Sequence, residues 1–453
     1  MIRTLRLENY RGFSDHTVPF TELTVLLGRN NAGKSTAVEA LRVLRTAVRR
    51  FRSSGGFAEA PHWLDDPRAY RGIQPALPDL DFDERSFFYG YGTGPAVVTA
   101  TFVDRTSVNV FIGPAGEVHA VARARDGHAV GTAAQAKSLA LPDLRVQPQL
   151  GPVLREETVL MENTVMSRLG SSPSYHFRNQ INLLPDDFAE FKRFAEETWP
   201  EIQIREFVGW DGRHGDPLQL IVRDGDFAAD IGIMGHGLQM WLQTIWFLSR
   251  APSDACVVLD EPDVYMHPDM QHRLLLKLDG RYHQVVLATH SVEILASTDP
   301  RSLVVVDRGR KRSRPLMSVE AAQAAIEDLG GVHSLHVARL FSSERFLMIE
   351  GDDVRLLSAL QRVAAPDSRA VIATLPAYET GGWGGWHHAI RSKLPRVNGD
   401  GKPIVTYCFF DSDYHTDEEI DERYAEAAQH KVNLHIWHRK LRTTCSSQRP
   451  SSA

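Results

Sequence analysis

The residues in this sequence best suited to chemistry lie where apolar runs end. Gly28-Arg29-Asn30-Asn31-Ala32-Gly33-Lys34-Ser35, followed by Thr36, fits the pattern G-x-x-x-x-G-K-[ST]. Its glycines let successive backbone N–H groups curl around phosphate oxygens with no Cβ in the way. Lys34 brings a point charge to the β- and γ-phosphates, and the Ser35 hydroxyl is a ligand for Mg²⁺. Val257-Val258-Leu259-Asp260-Glu261-Pro262 delivers two carboxylates from an apolar run. Asp260 suits a role holding Mg²⁺ through its water shell, and Glu261 one orienting and deprotonating the attacking water. Residues 285–288 end in Thr289-His290-Ser291, from which His290 can reach the same γ-phosphate from the other side. Between these segments, Ile233-Met234-Gly235-His236-Gly237-Leu238-Gln239 heads a helix whose small residues and exposed amides form a second phosphate-binding surface.

A second set of carboxylates follows later. Phe346-Leu347-Met348-Ile349-Glu350-Gly351 reads as a buried strand ending in a glutamate and a glycine. Tyr407-Cys408-Phe409-Phe410-Asp411-Ser412-Asp413 reads as another, and alternation puts Asp411 and Asp413 on one side of the chain. Glu350, Asp411 and Asp413 together would make an acidic pocket for Mg²⁺ or Mn²⁺, able to polarise a scissile phosphate.

The elements that must position these groups are mostly legible. Residues 23–27 form an apolar run without alternation, as expected of a strand covered on both faces of an α/β sheet. The glycine loop follows, and Val38, Leu41, Val43, Leu44 and Val48 mark a helix over 35–49. Residues 96–103 and 108–112 predict paired strands, with 118–124 continuing the meander. Helices are expected over 186–198, 235–249, 268–278, 321–329 and 354–363, and strands over 255–259, 284–288, 303–306, 346–349, 370–375 and 404–410. The domain reading is a first ATPase part at 1–52, an inserted meander and helical arm at 53–200, a second ATPase part at 201–330, a further α/β unit at 331–441 and a disordered tail at 442–453.

Composition bounds the rest. Fifty-one Lys+Arg against 57 Asp+Glu give a net charge of −6, which excludes a generally basic nucleic-acid coat but allows local basic patches. Hydrophobic residues at 43% and charged residues at 24% indicate a globular chain of roughly three domains. No apolar run of about 18 residues is present, so no membrane partner is expected. Cys256, Cys408 and Cys445 are far apart, which argues against a zinc or disulfide framework and for a cytoplasmic location.

The order phosphate loop, Gly235–Gln239 segment, paired carboxylates and histidine resembles ABC-type ATPases, with 235–239 in the place of their LSGGQ signature and Gly-His-Gly replacing its core. The resemblance adds Gly235, Gly237 and Gln239 to the nucleotide-binding set. It implies ATP as cofactor and a homodimer in which the signature of one subunit closes over the ATP of the other. Leu7-Glu8-Asn9-Tyr10-Arg11-Gly12-Phe13 resembles the "NFRGF" start of SMC-like and RecF-like ATPases. Arg11 then sits beside the nucleotide or the opposing signature, or is simply a solvated turn arginine. The family's Q-loop glutamine has no evident counterpart. A Glu-Gly strand followed by a Asp-x-Asp strand resembles the TOPRIM domain, and an ABC-type ATPase followed by TOPRIM resembles the layout of OLD (overcoming lysogenization defect) family nucleases.

That resemblance covers about residues 1–441 and implies an ATP-regulated, metal-dependent DNA endonuclease in antiphage defence or DNA repair, with DNA and a neighbouring-gene helicase or defence protein as partners. The sequence departs from the pattern at Val354, where the family carries a second acid, and after Trp437, where relatives continue into catalytic sequence containing a lysine. An ATP-driven clamp on DNA or a partner, with an inert TOPRIM domain, is therefore the rival reading. A transporter ATPase fits less well. The Ser-rich stretch after Leu441 is expected to be foreign to the family, as a frameshift or early stop would leave it, or else to be the flexible terminus of a naturally short member. Arg42, Arg45, Arg49, Arg50 and Arg52, and the run Arg308, Arg310, Lys311, Arg312 and Arg314, are either DNA contacts or solvated charge; Trp383 and Trp386 either stack on bases or pack a loop.

Overall fold

The computed structural model describes residues 1–29, 31–53, 56–77, 84–168, 173–199, 201–208, 214–317, 321, 325, 345–350, 354–365, 372, 375–379, 405–412, 415–430 and 432–437. The chain divides into two compact units. One comprises Met1–Ser291 with Arg301–Leu316, the other Val292–Pro300 with Met317–Ala453.

The first unit is built around the helix Lys34–Arg52. Ala37, Val38, Ala40, Leu41, Val43, Leu44, Ala47, Val48 and Phe51 are all buried, which is more than one face of a helix can supply to a single neighbour. Sheets on two sides account for it. On one side lies a sheet of order Leu144–Val146, Cys256–Asp260, Gln284–Ala288, Leu23–Leu27, Leu303–Val305 and Arg314–Pro315, parallel except for the last pair. Its central strands read as continuous Val/Leu runs because both faces are covered. On the other side lies an antiparallel sheet in the order Phe13–Pro19, Ile2–Tyr10, Ala96–Phe102, Ser107–Ile112, Val118–Arg123, Gly72–Ile73, Phe57–Ala58. Here alternation sets the register. Leu5 faces Val18 and Ala100, all fully buried, while Arg6 between Leu5 and Leu7 points outward. A third, smaller antiparallel sheet joins Glu157–Thr158, Pro217–Asp224 and Ile202–Val208, with Phe227–Asp230 beside Pro217–Asp224.

The segment 53–200, read as an insertion and arm, is largely built into this unit. The meander shares the sheet of Ile2–Tyr10, and Leu144–Val146 pairs with the carboxylate strand Cys256–Asp260. Pairing across about 90 to 110 residues is invisible to local periodicity, and that is why the sequence suggested a separate piece.

The second unit contains a parallel sheet in the order Ala377–Glu379, Arg345–Ile349, Val405–Asp411, Asn433–Trp437. Phe346, Met348, Cys408, Phe410 and Ile436 face one apolar cluster with Ile420 and Ala427; Leu347, Ile349 and Leu357 form the other. The helix over 354–363 is present as Val354–Ala364 and the strand over 404–410 as Val405–Asp411. Most of the strand expected at 370–375 lies outside the described residues; Ile372 is in a 3-10 turn, and Ala377–Glu379 pairs with Arg345–Ile349. Asn30, Gly351, Asp413, Trp383, Trp386, the tail, and most of the helix expected at 321–329 lie outside the described residues. No helix among the described residues is long and apolar enough to cross a membrane.

Candidate functional site

The phosphate loop joins the strand Leu23–Leu27 to the helix Lys34–Arg52, and two of its glycines are sterically required. A Cβ on Gly28 would stand 2.6 Å from the Val306 carbonyl oxygen. Gly33 has φ +108°, and a Cβ there would lie 2.3 Å from the Phe13 ring. The helix therefore begins with free N–H groups aimed at the loop, as an anion site needs.

The loop opens onto a cavity of about 580 Å³ lined by Asn31, Ala32, Gly33, Lys34, Ser35 and Thr36, and by Arg11, Glu261, His290 and Arg308 from other segments. Lys34 is buried, and its Nζ donates to Gly28 O at 2.9 Å and contacts His290 Nε2 at 2.6 Å. An ammonium only donates, so Nε2 is the accepting nitrogen and His290 is neutral. Burial first, and the Lys34 charge second, push the imidazole pKa down, which agrees with that tautomer. Burial also lowers the Lys34 pKa, while Glu261, Asp260 and Asp263 pull it back.

Glu261 Oε1 lies 4.0 Å from His290 Nε2. Its backbone is left-handed (φ 47°), an uncommon conformation for a non-glycine residue. A 2.7 Å hydrogen bond from its N–H to Ala288 O holds it there, so the parallel pairing of Cys256–Asp260 with Gln284–Ala288 brings carboxylate and histidine together. Asp260, one residue earlier, has a different environment. Its Oδ1 is buried without a hydrogen-bond partner, and desolvation raises its pKa to about 6. A carboxylate oxygen with that open valence fits a cation, and with the Ser35 hydroxyl on the cavity wall these residues fit Mg²⁺.

Arg11 is neither solvated nor free. It lines the cavity, and its guanidinium meets Glu39 at 2.7 Å. Arg308, the first of the basic run, lies against Gly12 on the cavity wall, whereas Arg310 is exposed and paired with Asp307. Arg29 is exposed and outside the cavity lining.

The Gly235–Gln239 segment lies elsewhere on the same unit. Gly235 precedes the helix His236–Ser249 without a side-chain cap, so its first amides are open, and Gly237 packs beneath the Tyr265 carbonyl. Gln239 departs from expectation. It is buried, donates to Met234 O at 2.8 Å and accepts from Val153 N–H at 2.9 Å, so its amide shapes the turn rather than facing a nucleotide.

Sequence reasoning missed Gln147. It follows Leu144–Val146 directly beside the carboxylate strand, is buried, and donates to Thr244 Oγ1 at 3.0 Å in the helix His236–Ser249. Only the pairing of Leu144–Val146 with Cys256–Asp260 reveals it. Gln147 is not on the cavity wall; Phe88 and Tyr91, which are, carried no local signal either.

Residues 23–296 match the model of a protein family described as "AAA domain, putative AbiEii toxin, Type IV TA system". The chain belongs to this family. It is an AAA-type ATPase domain in its larger unit, and ATPases of this type use ATP and typically Mg²⁺. No curated protein matches the sequence. Among solved structures, an SMC head bound to the C-terminal winged-helix domain of ScpA is similar at 15% identity and a TM-score of 0.45, covering 71% of this chain and 99% of that one. An SMC head with coiled coil and joint from Pyrococcus yayanosii is similar at 11% identity and TM-score 0.44, over 73% and 99%. The SMC head domain from Thermotoga maritima gives 16% and 0.38, over 70% and 99%.

In the second unit of this AAA-family chain, Glu350 and Asp411 are adjacent. Glu350 Oε2 accepts the Asp411 backbone N–H at 2.9 Å. Both stand at the carboxyl ends of parallel strands, on either side of the point where strand order reverses. Among the described residues no group of three or more His, Cys, Asp or Glu is placed to share a metal.

Proposed function

We propose that the chain hydrolyses ATP and uses that cycle to regulate metal-dependent cleavage of DNA at the Glu350–Asp411 strand ends, in the manner of an OLD-type nuclease. At the first site, the loop amides and the helix start take the phosphates. Lys34 gives up Gly28 O and His290 for a phosphate oxygen, which leaves His290 Nε2 an open acceptor beside the γ-position. Glu261, fixed by its backbone bond to Ala288, takes the proton of the attacking water. Ser35 and Asp260 would hold Mg²⁺, which would neutralise charge on the β- and γ-phosphates. Closure of this site by Gly235 and Gly237 of a second copy is part of the proposal.

The observation that carries the nuclease reading is the contact between Glu350 and the Asp411 amide, because it joins the two carboxylate-bearing strand ends at the sheet position where α/β folds bind ligands. Asp413 belongs to the proposed metal set. Val354 favours the rival clamp, since it begins the helix Val354–Ala364 with an apolar side chain at the family's second acidic position. Plasmid DNA with Mg²⁺ or Mn²⁺ separates them. The nuclease reading expects nicking that Glu350→Gln and Asp411→Asn each abolish while ATP hydrolysis continues. ATP-dependent DNA retention without cleavage by the wild type establishes the clamp instead.

A further inference from the structure

The lining of the nucleotide cavity includes aromatic side chains from outside the phosphate loop. Ser86, Phe88, Gly90 and Tyr91 line the same cavity as Lys34 and Ser35. Phe88 is buried, whereas Tyr91 is 81% exposed, more than any other large hydrophobic side chain among the described residues except Val363. Tyr91 also sits in the left-handed region at φ 57°, directly after Gly90 at φ 59°. An aromatic residue pays a steric cost in that conformation, and such strain persists only where the surroundings impose it.

Here they do. The Asn9 side chain donates to Thr93 O at 3.0 Å and Pro95 O at 3.2 Å and accepts from the Tyr89 N–H at 3.3 Å. Arg11 N–H bonds to Phe87 O at 2.8 Å, and Tyr10 pairs with Phe88. The turn that places Arg11 in the cavity therefore also fixes the aromatic segment over it. No side chain lies within 4 Å of a Cβ built on Gly90, so open space adjoins the two rings. A strained, solvated phenol ring held at the mouth of a phosphate site gains by covering a flat apolar ligand.

We propose that Phe88, Gly90 and Tyr91 form the base-binding slot of the nucleotide site, with Tyr91 stacking on the base of a nucleoside triphosphate. This rests on the phosphate site assigned above and adds which end of the ligand is read, and how. Stacking recognises a π-face rather than an edge, so the slot favours purines over pyrimidines by ring area and discriminates weakly between adenine and guanine.

Equilibrium binding of ATP, CTP and inorganic tripolyphosphate to the full chain with Mg²⁺ tests this. Tyr91→Ala should weaken ATP roughly ten- to hundredfold, as loss of one base–aromatic stack does, weaken CTP less, and leave tripolyphosphate within about twofold. Tyr91→Phe should bind like the wild type. Asn9→Ala, which releases the segment, should lose ATP affinity in the same direction to a smaller extent. An unchanged ratio of ATP to tripolyphosphate affinity in Tyr91→Ala overturns the slot while leaving the phosphate site standing. A wild type that binds no triphosphate, or binds it equally after Lys34→Ala, overturns both.

Discussion

Asp230 is buried and Asp260 half-buried with its Oδ1 turned inward, and the surroundings of these two carboxylates of one unit are opposite. Asp230 Oδ2 accepts from Leu220 N–H at 3.0 Å and Arg178 Nε at 3.1 Å; its Oδ1 accepts from Gly232 N–H at 2.9 Å and from Arg178 Nη2. Arg178 is itself fully buried and donates onward to Glu157 Oε1 and to Leu154 O, both at 2.9 Å. Every valence there is met, and the cluster fixes the turn at Gly232 that leads into Gly235. Asp260 Oδ1 meets nothing. A saturated buried charge is part of the architecture, whereas an open one is held ready for a ligand, at the expense of stability. In the second unit Glu350 is intermediate, since one oxygen already takes the Asp411 amide.

Removing a partner should break the first region and relieve the second. Arg178→Met leaves Glu157 and Asp230 uncompensated and is expected to destabilise the protein by about 3–5 kcal/mol. Urea unfolding of the larger unit measures it, and a loss under about 1 kcal/mol would place the cluster outside the load path of the fold. Asp260→Asn should act in the opposite direction. The folded protein holds the Asp260 proton up to a pKa of about 6, above the ordinary carboxylate value, so the ionised group favours unfolding. That penalty is full above pH 6 and fades as the pH falls from about 6 toward 4. In EDTA at pH 7.5 the asparagine variant should be more stable by up to about 3 kcal/mol. The difference should shrink near pH 5 and reverse when Mg²⁺ and nucleotide are present. Melting curves with and without chelator across pH 5–8 would show it, and a less stable chelated variant at pH 7.5 would mean that Asp260 is satisfied after all.

The same contrast explains what could be read from the sequence. Lys34 was legible because it closes the glycine loop after the strand Leu23–Leu27, Glu261 and His290 because they follow the strands Cys256–Asp260 and Gln284–Ala288, and parallel pairing of those strands brings all three into one cavity. Glu350 and Asp411 were legible in the same way. Gln239 was misread because a glutamine at a helix start looks the same whether its amide is open or consumed, and only the Met234 and Val153 contacts decide. Gln147, Phe88 and Tyr91 were illegible because their places depend on antiparallel or edge pairing across long stretches of chain, namely Ile2–Tyr10 with Ala96–Phe102 and Leu144–Val146 with Cys256–Asp260.

The central claim is that Glu261, in its left-handed backbone beside His290, is the base that activates water in this AAA-family chain. Single-turnover hydrolysis of radiolabelled ATP by Glu261→Gln, alongside direct measurement of ATP binding, tests it most directly. ATP binding should stay within a few-fold of wild type while the hydrolysis rate falls by roughly 10²–10⁴. A variant that binds ATP and cleaves it at the wild-type rate would contradict the assignment.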